Sequence, residues 1–252
     1  MANFIWHDLN TTDTDAAADF YGAVIGWTAR PYAEGGDYLN FIAGDRAAGG
    51  MRRQSEGERI AGPWWACYIG VDDVDAEAEA IRAAGGTIHV EPRDIPTIGR
   101  FAVAADPQGA IFLLLAPFPR EMPDLPPLAH DAPGHAAWHE LRTSDWESAF
   151  AFYAARFGWT KDQAMNMGPM GTYQLFAIDG AMAGGMMNDP ASRRPLWLAY
   201  FAVADIDAAV RTIEAKGGRV VNGPHEVPGG GFTIQATDPQ GALFALTGPR
   251  LS

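Results

Sequence analysis

The chain has 252 residues, 48% of them hydrophobic, and its 31 acidic and 18 basic residues give a formal net charge of −13. This acidic balance argues against nucleic acid as a partner, because binding to phosphates requires clustered lysine and arginine. No apolar run approaches the roughly 18 residues of a membrane span, the N-terminus lacks a signal pattern, and the single cysteine excludes a disulfide framework. We therefore expect a cytoplasmic protein with neither nucleic acid nor a membrane as a partner.

The first part of the chain predicts one strand, one helix and three further strands. Phe4 to Leu9 is typical of a strand, and Thr12-Asp13 can cap a helix that ends at Gly26. The strands that follow are separated by glycine-containing turns, one of them Glu34-Gly35-Gly36. They are predicted at Thr28–Tyr32, Tyr38–Ala43 and Ala47–Arg52. The order is βαβββ.

The same order follows in a second unit. A strand at Trp64–Val71 leads to a helix capped by Asp72-Asp73, and three strands then surround the turn Asp106-Pro107-Gln108-Gly109. Proline at the second position and glycine at the fourth are typical of a type I turn. The glycines that follow the two helices are separated by the same number of residues as Asp13 and Asp72, and so are the threonines that come after them. The two units are therefore a faint repeat.

A much stronger repeat relates the two halves of the chain. The run Trp6-His7-Asp8-Leu9 returns as Trp138-His139-Glu140-Leu141, and the same offset holds through the helix and the Asp-Pro-Gln-Gly turn. A match so dense in aromatic residues indicates a tandem duplication. We predict an α+β protein of four βαβββ units, with domains at 1–117 and 134–252 joined by a proline-rich linker at 118–133.

This architecture resembles the vicinal oxygen chelate superfamily, which holds glyoxalase I, bleomycin-resistance proteins and extradiol dioxygenases. The resemblance covers nearly the whole chain apart from the linker, and it is closest to tandem two-domain glyoxalase-like proteins. It implies that paired units curl into cup-shaped mixed sheets, each holding a small ligand. It also implies that fused domains can pair within the chain, so a monomer or a homodimer is expected.

Metal-dependent members of the superfamily bind a divalent ion through His, Gln or Glu, but the matching positions here hold other residues. They are Trp6, Ala66 and Leu113 in the first half and Trp138, Leu198 and Ala245 in the second. None of these side chains is a usual ligand for a divalent ion. A one-residue slip would bring in His7 or His139, but on the opposite face of the strand. We expect no cofactor, with a displaced divalent metal site as the disfavoured alternative.

Alternation along the strands places a carboxylate and a phenol beside each of these positions. We predict the pairs Asp8 with Tyr68 and Glu140 with Tyr200 as candidate catalytic residues, because a carboxylate beside tryptophan is desolvated and suited to acid–base chemistry. The same pairs could instead bind a ligand or hold the strands together. The candidate ligand contacts are Trp6, Trp138, Arg142, Met51 and Met186. Both methionines follow Gly-Gly pairs, which indicate close backbone approach, and core filling is an equally good interpretation of them.

Two functions fit these residues. The first is a binding protein that holds a small apolar or aromatic molecule in its cups, as bleomycin-resistance proteins sequester a drug. The second is an enzyme, a glyoxalase-like lyase or isomerase or a relative of the dioxygenases. That enzyme would use either metal-free acid–base catalysis or a displaced metal. The two cups are not expected to be identical, since Glu140 and Arg142 stand where the first half has Asp8 and Asn10.

Overall fold

The computed structural model describes residues 2–33, 36–55, 57, 62–119, 128–129, 131–190 and 194–251. Within these ranges the helices are α1 (Thr14–Ile25), α2 (Val74–Ala83), α3 (Trp146–Phe157), α4 (Ile206–Ala215) and a short 3₁₀ helix (Gly168–Met170). No helix in the described ranges is long and apolar enough to cross a membrane. The greater part of the predicted linker, 120–127 and 130, lies outside the described residues, as do residues 34–35 of a predicted turn.

The strands of each half follow the predicted order. In the first half they are β1 (Phe4–Thr11), β2 (Thr28–Pro31), β3 (Tyr38–Ala43), β4 (Arg46–Arg53), β5 (Trp64–Gly70), β6 (Thr87–Ile95), β7 (Gly99–Ala105) and β8 (Ile111–Pro117). In the second half they are β9 (Ala136–Thr143), β10 (Thr160–Asn166), β11 (Thr172–Ile178), β12 (Ala181–Asn188), β13 (Leu196–Ala202), β14 (Arg219–Glu226), β15 (Phe232–Thr237) and β16 (Leu243–Gly248).

Each half builds one eight-stranded mixed sheet. The strand orders are β2-β3-β4-β1-β5-β8-β7-β6 and β10-β11-β12-β9-β13-β16-β15-β14, so the two sheets have the same topology. The pairs β1–β4 and β9–β12 are parallel, whereas the hairpins β3–β4 and β11–β12 are antiparallel. The predicted α+β fold of four βαβββ units is confirmed.

Aspartate begins each of the four helices, as the sequence predicts for the first two. The capping residues are Asp13, Asp73, Asp145 and Asp205, and each side chain accepts a hydrogen bond from a backbone N–H of the first turn. These bonds satisfy donors that a helix start leaves without partners. The helices α1 and α3 end at Gly26 and Gly158, whose φ angles of 91° and 72° favour glycine.

The chain forms two compact units that each combine one βαβββ module from either half. The middle unit comprises Met1–Ile5, Ala66–Pro126 and His139–Trp197, and the terminal unit comprises Trp6–Trp65, Pro127–Trp138 and Leu198–Ser252. The terminal unit therefore joins the first module to the fourth, and the middle unit joins the second to the third. The predicted domain boundaries, drawn along the sequence, stay a prediction.

In the terminal unit, the repeated tyrosine of α1 meets the turn of the other half. Trp65 Nε1 donates to Tyr21 Oη at 3.0 Å, and Tyr21 Oη donates to Asp238 Oδ2 at 3.1 Å. Burial raises the pKa of Asp238, while its hydrogen bonds lower it. Gln240, two residues later, accepts from the backbone N–H of Asp13 and donates to its carbonyl, both at 2.9 Å. The Asp-Pro-Gln-Gly turn thus holds the start of a helix from the opposite half.

The middle unit contains the equivalent network, in which the helix comes from the second half of the chain and the turn comes from the first half. Trp197 Nε1 donates to Tyr153 Oη at 2.8 Å, and Tyr153 Oη donates to Asp106 Oδ2 at 3.2 Å. Gln108 accepts from the N–H of Asp145 at 2.8 Å and donates to its carbonyl at 2.7 Å. The aromatic helix of each half thus forms hydrogen bonds with the turn of the other half. This mutual dependence explains why both segments recur together in the sequence.

Candidate functional site

The carboxylate of Asp8 lies in a hydrogen-bonded cluster on one face of the terminal unit. Trp6 Nε1 donates to Asp8 Oδ1 at 2.9 Å and to Tyr38 Oη at 2.8 Å, and Tyr38 Oη donates to Asp8 Oδ1 at 2.5 Å. Asp8 is only 6% exposed. Trp6 and Asp8 therefore share one face of β1, as alternation along the strand predicts. We call Trp6, Asp8 and Tyr38 the Asp8 cluster.

Glycine at position 50 makes this cluster possible. Gly50 lies opposite Asp8 on one side and opposite Asn40 of β3 on the other, so Tyr38 must cross it to reach the carboxylate. A Cβ atom on Gly50 would overlap the Tyr38 hydroxyl and would stand 2.7 Å from Asp8 Oδ1. The Gly-Gly pair thus marks a close approach, as predicted, and the group that approaches is a phenol.

Tyr38 is held in its neutral form. Burial raises its pKa well above the usual value, and the negative charge of Asp8 raises it further. The hydroxyl therefore keeps its proton through the neutral range and donates it to Asp8, while it accepts the indole N–H of Trp6. The arrangement is a polarised hydrogen-bond chain that ends on a carboxylate.

The middle unit contains an equivalent cluster with added charges. Tyr173 Oη donates to Glu140 Oε2 at 3.1 Å, Arg142 Nε donates to Glu140 Oε1 at 2.9 Å, and an Arg142 terminal nitrogen lies 3.3 Å from Asp189 Oδ2. Gly185 lies opposite Glu140, and a Cβ atom there would overlap the Tyr173 ring. We call Glu140, Arg142, Tyr173 and Asp189 the Glu140 cluster.

Three residues of these clusters were missed by the sequence prediction: Tyr38, Tyr173 and Asp189. A signal for the tyrosines exists, since Tyr38 and Tyr173 are separated by the same interval as the two Gly-Gly pairs. Their contact with the carboxylates depends on strand register, which the repeat alone does not supply. Asp189 has no such signal.

The predicted phenols lie on other strands and are nearly buried. Tyr68 and Tyr200 are 7% and 4% exposed. Tyr200 Oη accepts a hydrogen bond from Gln235 Nε2 at 2.7 Å, and Gln235 Oε1 in turn accepts from Asn222 Nδ2 at 3.2 Å. The pairings of Asp8 with Tyr68 and of Glu140 with Tyr200 stay predictions, as does ligand contact by the partly exposed Trp138.

Met51 and Met186 are fully buried. Met51 lies opposite Leu9, and Met186 lies opposite Leu141. Each methionine directly follows the glycine that faces a carboxylate. Side chains alternate across a strand, so both methionines point to the other face of the sheet from the clusters. Of the two interpretations that the sequence left open, this position fits the core filler.

The residues at the family's metal-ligand positions do not fit a divalent ion. The Trp6 indole nitrogen is a donor and is bound to Asp8 and Tyr38. Leu113 and Ala245 lie opposite Tyr68 and Tyr200, and neither has a donor atom. Among the described residues, no group of three or more His, Cys, Asp or Glu side chains could hold a metal ion.

His7, which a one-residue slip would bring in, is 5% exposed, and burial lowers its pKa to about 4. It contacts the edge of Phe201, with 5.7 Å between ring centroids. These are the surroundings of a buried aromatic ring.

Two sheets of one topology, each built from two βαβββ modules with a buried carboxylate on its first strand, define a tandem glyoxalase-like protein. Residues 4–114 and 132–246 match the model of the Glyoxalase/Bleomycin resistance protein/Dioxygenase superfamily, and the chain belongs to this family.

Curated relatives align along almost their whole length. CFP32 of Mycobacterium tuberculosis, which bears the name of a glyoxylase, is 32% identical over 249 residues, covering 97% of this chain and 94% of its own. The anthracycline biosynthesis protein DauV of Streptomyces sp. strain C5 is 31% identical over 257 residues, covering 96% of this chain and 91% of its own.

Solved structures support the fold. The 2,3-dioxygenase LapB from Pseudomonas sp. KL28 superimposes with a TM-score of 0.66 at 15% identity, covering 99% of this chain and 92% of its own. The Mn(II)-bound glyoxalase from Novosphingobium aromaticivorans gives a TM-score of 0.66 at 17% identity, covering 98% of this chain and 83% of its own. At these identities the similarity concerns the fold alone.

Proposed function

We propose that this protein binds a small molecule with an apolar or aromatic body and oxygen-bearing substituents, at the Asp8 cluster and at the Glu140 cluster, without its family's divalent metal. One observation carries the proposal. Trp6, at the family's first ligand position, donates its indole N–H to Asp8 and Tyr38. A position that binds a metal ion in metal-dependent members is thus occupied here by a side chain that forms hydrogen bonds with a carboxylate and a phenol.

The chemistry of the clusters suits such a ligand. Trp6 and Tyr38 offer flat apolar surface, and the carboxylate and phenol can orient a hydroxyl or carbonyl group. The Glu140 cluster adds a guanidinium that is already paired with two carboxylates. The name of the Streptomyces relative, an anthracycline biosynthesis protein, favours an aromatic ligand for this chain.

A second candidate is a metal-free acid–base enzyme of the lyase or isomerase type. The 2.5 Å hydrogen bond from Tyr38 to Asp8 favours it, since a phenol and a carboxylate in contact can exchange a proton with a substrate. In this alternative Asp8 and Glu140 act as bases, and Tyr68 and Tyr200 are the predicted phenols that polarise a substrate oxygen. A dioxygenase-like reaction would need a displaced metal site.

The first experiment is a titration with 2-naphthol, a soluble aromatic alcohol, followed by tryptophan fluorescence with and without EDTA. We expect saturable quenching that EDTA leaves unchanged and that Tyr38→Phe weakens about fivefold or more. Tyr32→Phe is the matched control, because its ring lies 6.3 Å from Tyr38 and is 44% exposed. Binding that requires about one tightly held ion per chain or per half would contradict the proposal.

Asp8→Asn and Glu140→Gln separate the two candidates. Turnover of a methylglyoxal–glutathione hemithioacetal that falls at least a hundredfold in either variant, with unchanged affinity, would favour the enzyme. Loss of 2-naphthol affinity with no turnover in the wild-type protein would favour the binding protein.

A further inference from the structure

Three half-buried methionines lie beside the Glu140 cluster of the middle unit. Met165 lies opposite Tyr173 on one side, and Met187 lies opposite it on the other. Both therefore flank the ring whose hydroxyl donates to Glu140. Met167 follows Met165 by two residues, so the two side chains leave β10 on the same face. We call Met165, Met167 and Met187 the methionine wall, and each of its side chains is half-buried.

The strand pairing leaves space beside Met167. Asn166 pairs with Thr172, so the next residues, Met167 and Gly171, face each other at the end of the two strands. The backbone N–H of Met167 donates to the carbonyl of Gly171 at 2.8 Å, which fixes this position. Glycine places no side chain against the thioether. The wall therefore continues past Tyr173 towards the open end of the sheet face.

The methionine wall and the polar groups occupy opposite ends of one row across the sheet. The strands run in the order β9, β12, β11 and β10, and the row consists of Arg142, Met187, Tyr173 and Met165. Three strand spacings of about 4.8 Å make this row about 14 Å long. A two-ring molecule with its oxygen at the polar end is shorter than the row. A linear molecule of three or more fused rings extends along it to Met165.

The side chains of the wall suit a flat ring. Methionine is unbranched and adapts its shape, and its sulfur makes favourable contacts with aromatic rings. The methionines of the core, Met51 and Met186, are fully buried, whereas those of the wall lie half-buried on the face of the Glu140 cluster. The corresponding segment of the first half, residues 28–38, contains no methionine. The wall is therefore a feature of the middle unit and not of the repeated fold.

We propose that the methionine wall extends the Glu140 cluster into a site for a linear aromatic molecule of three or more fused rings. The oxygen substituent of this ligand lies at the Glu140 end, and its far ring lies on Met165 and Met167. This inference rests on the proposed function, and it names the size and shape of the ligand at one of the two clusters. The two distal methionines determine specificity for length.

The test compares 2-naphthol with 2-anthrol, which adds one ring along the same axis, by the fluorescence anisotropy of each probe. The variants are made in a Gly50→Ala background, because a Cβ atom there overlaps the Tyr38 hydroxyl and disrupts the Asp8 cluster. We expect Met165→Ala and Met167→Ala each to weaken 2-anthrol about fivefold and to change 2-naphthol by less than about twofold. Only the longer probe reaches these side chains.

Two further variants control for the loss of a methionine and for folding. Met182→Ala removes an exposed methionine of β12 outside the wall and should leave the affinity for both probes unchanged. Met165→Leu keeps an apolar side chain of similar size and should retain most of the affinity for 2-anthrol. Urea midpoints equal to that of the background show that a lost affinity reports a lost contact.

The outcomes separate this inference from the function on which it rests. If the wild-type protein binds neither probe, the proposed function fails and the inference fails with it. If both probes bind and the wall variants weaken them equally or not at all, the inference alone fails. A dimer that Met165→Ala dissociates in gel filtration would assign the wall to a second copy of the chain and overturn the proposal. Selective loss of 2-anthrol affinity in Met165→Ala and Met167→Ala, but not in Met182→Ala, supports it.

Discussion

The hydroxyl of Tyr38 lies so close to the α-carbon of Gly50 that any side chain at position 50 would displace it. The same relationship joins Tyr173 to Gly185. Each glycine therefore serves the hydrogen bond between a tyrosine and a carboxylate, whereas a Cβ atom on the preceding glycine, Gly49 or Gly184, would press on the backbone carbonyl of His7 or His139.

Gly50→Ala should therefore disrupt the Asp8 cluster. The methyl group would push Tyr38 away from Asp8, and overpacking of this kind costs about 1–3 kcal/mol of stability. We expect a lower midpoint in urea unfolding and a loss of 2-naphthol binding at the Asp8 cluster, with binding at the Glu140 cluster retained. Gly231→Ala is a suitable control, because a Cβ atom there meets nothing closer than 3.7 Å. Unchanged stability and binding in Gly50→Ala would refute the close approach.

Tyr21→Phe should destabilise the protein as a whole. The substitution removes the acceptor of the Trp65 indole and a donor to the buried Asp238 carboxylate, which together should lower the free energy of unfolding by about 1–3 kcal/mol. Urea unfolding followed by tryptophan fluorescence measures it. Tyr32→Phe removes an exposed hydroxyl and should change little. Equal effects of the two substitutions would argue against the buried network.

His7 should make stability fall in mild acid. Its pKa is lowered from 6.5 to about 4 by burial, so the unfolded chain binds a proton more readily between these values. The stability contribution is complete above pH 6.5 and is lost as pH falls towards 4, by about 3 kcal/mol. Unfolding free energies at several pH values should show this slope. His7→Gln should remove the part of this fall in stability that His7 causes. His225→Gln, at an exposed position, should leave the fall unchanged.

Cutting the chain between its halves should not separate them. Tyr21 and Asp238 lie on opposite sides of residues 120–127 but in the same compact unit, and so do Tyr153 and Asp106. We expect a protein cleaved at a protease site inserted there to elute as one species in gel filtration and to dissociate only in urea. Halves that separate without denaturant would show that these contacts are too weak to hold them.

Much of the fold could be predicted because its determinants are local. The aspartate caps, the glycine stops and the Asp-Pro-Gln-Gly turns act within a few residues, and the repeat of one half in the other then indicated four similar modules. The exchange of modules between halves, which brings Tyr21 to Asp238, could not be predicted. It depends on contacts between segments near opposite ends of the chain, for which the repeat offers no distance information.

The candidate site was predicted in part for the same reason. Alternation along one strand placed Trp6 and Asp8 on a common face, which their hydrogen bond confirms. Tyr38 comes from a different strand, and only the register of β3 against β4 brings its hydroxyl over Gly50. Met51 shows the converse, because its place beside the Gly-Gly pair left a ligand contact and a core position equally open, and only the structure shows that it is fully buried.

The reciprocal exchange of modules also bears on how this protein could have diverged. Two identical chains that exchanged the same modules would carry two identical clusters, since one gene would encode both. A fused duplicate is free of that restriction, because Asn10 can change while Arg142, its equivalent in the other half, stays the same. Fusion of the two halves therefore allows each copy of a shared scaffold to change its residues independently of the other.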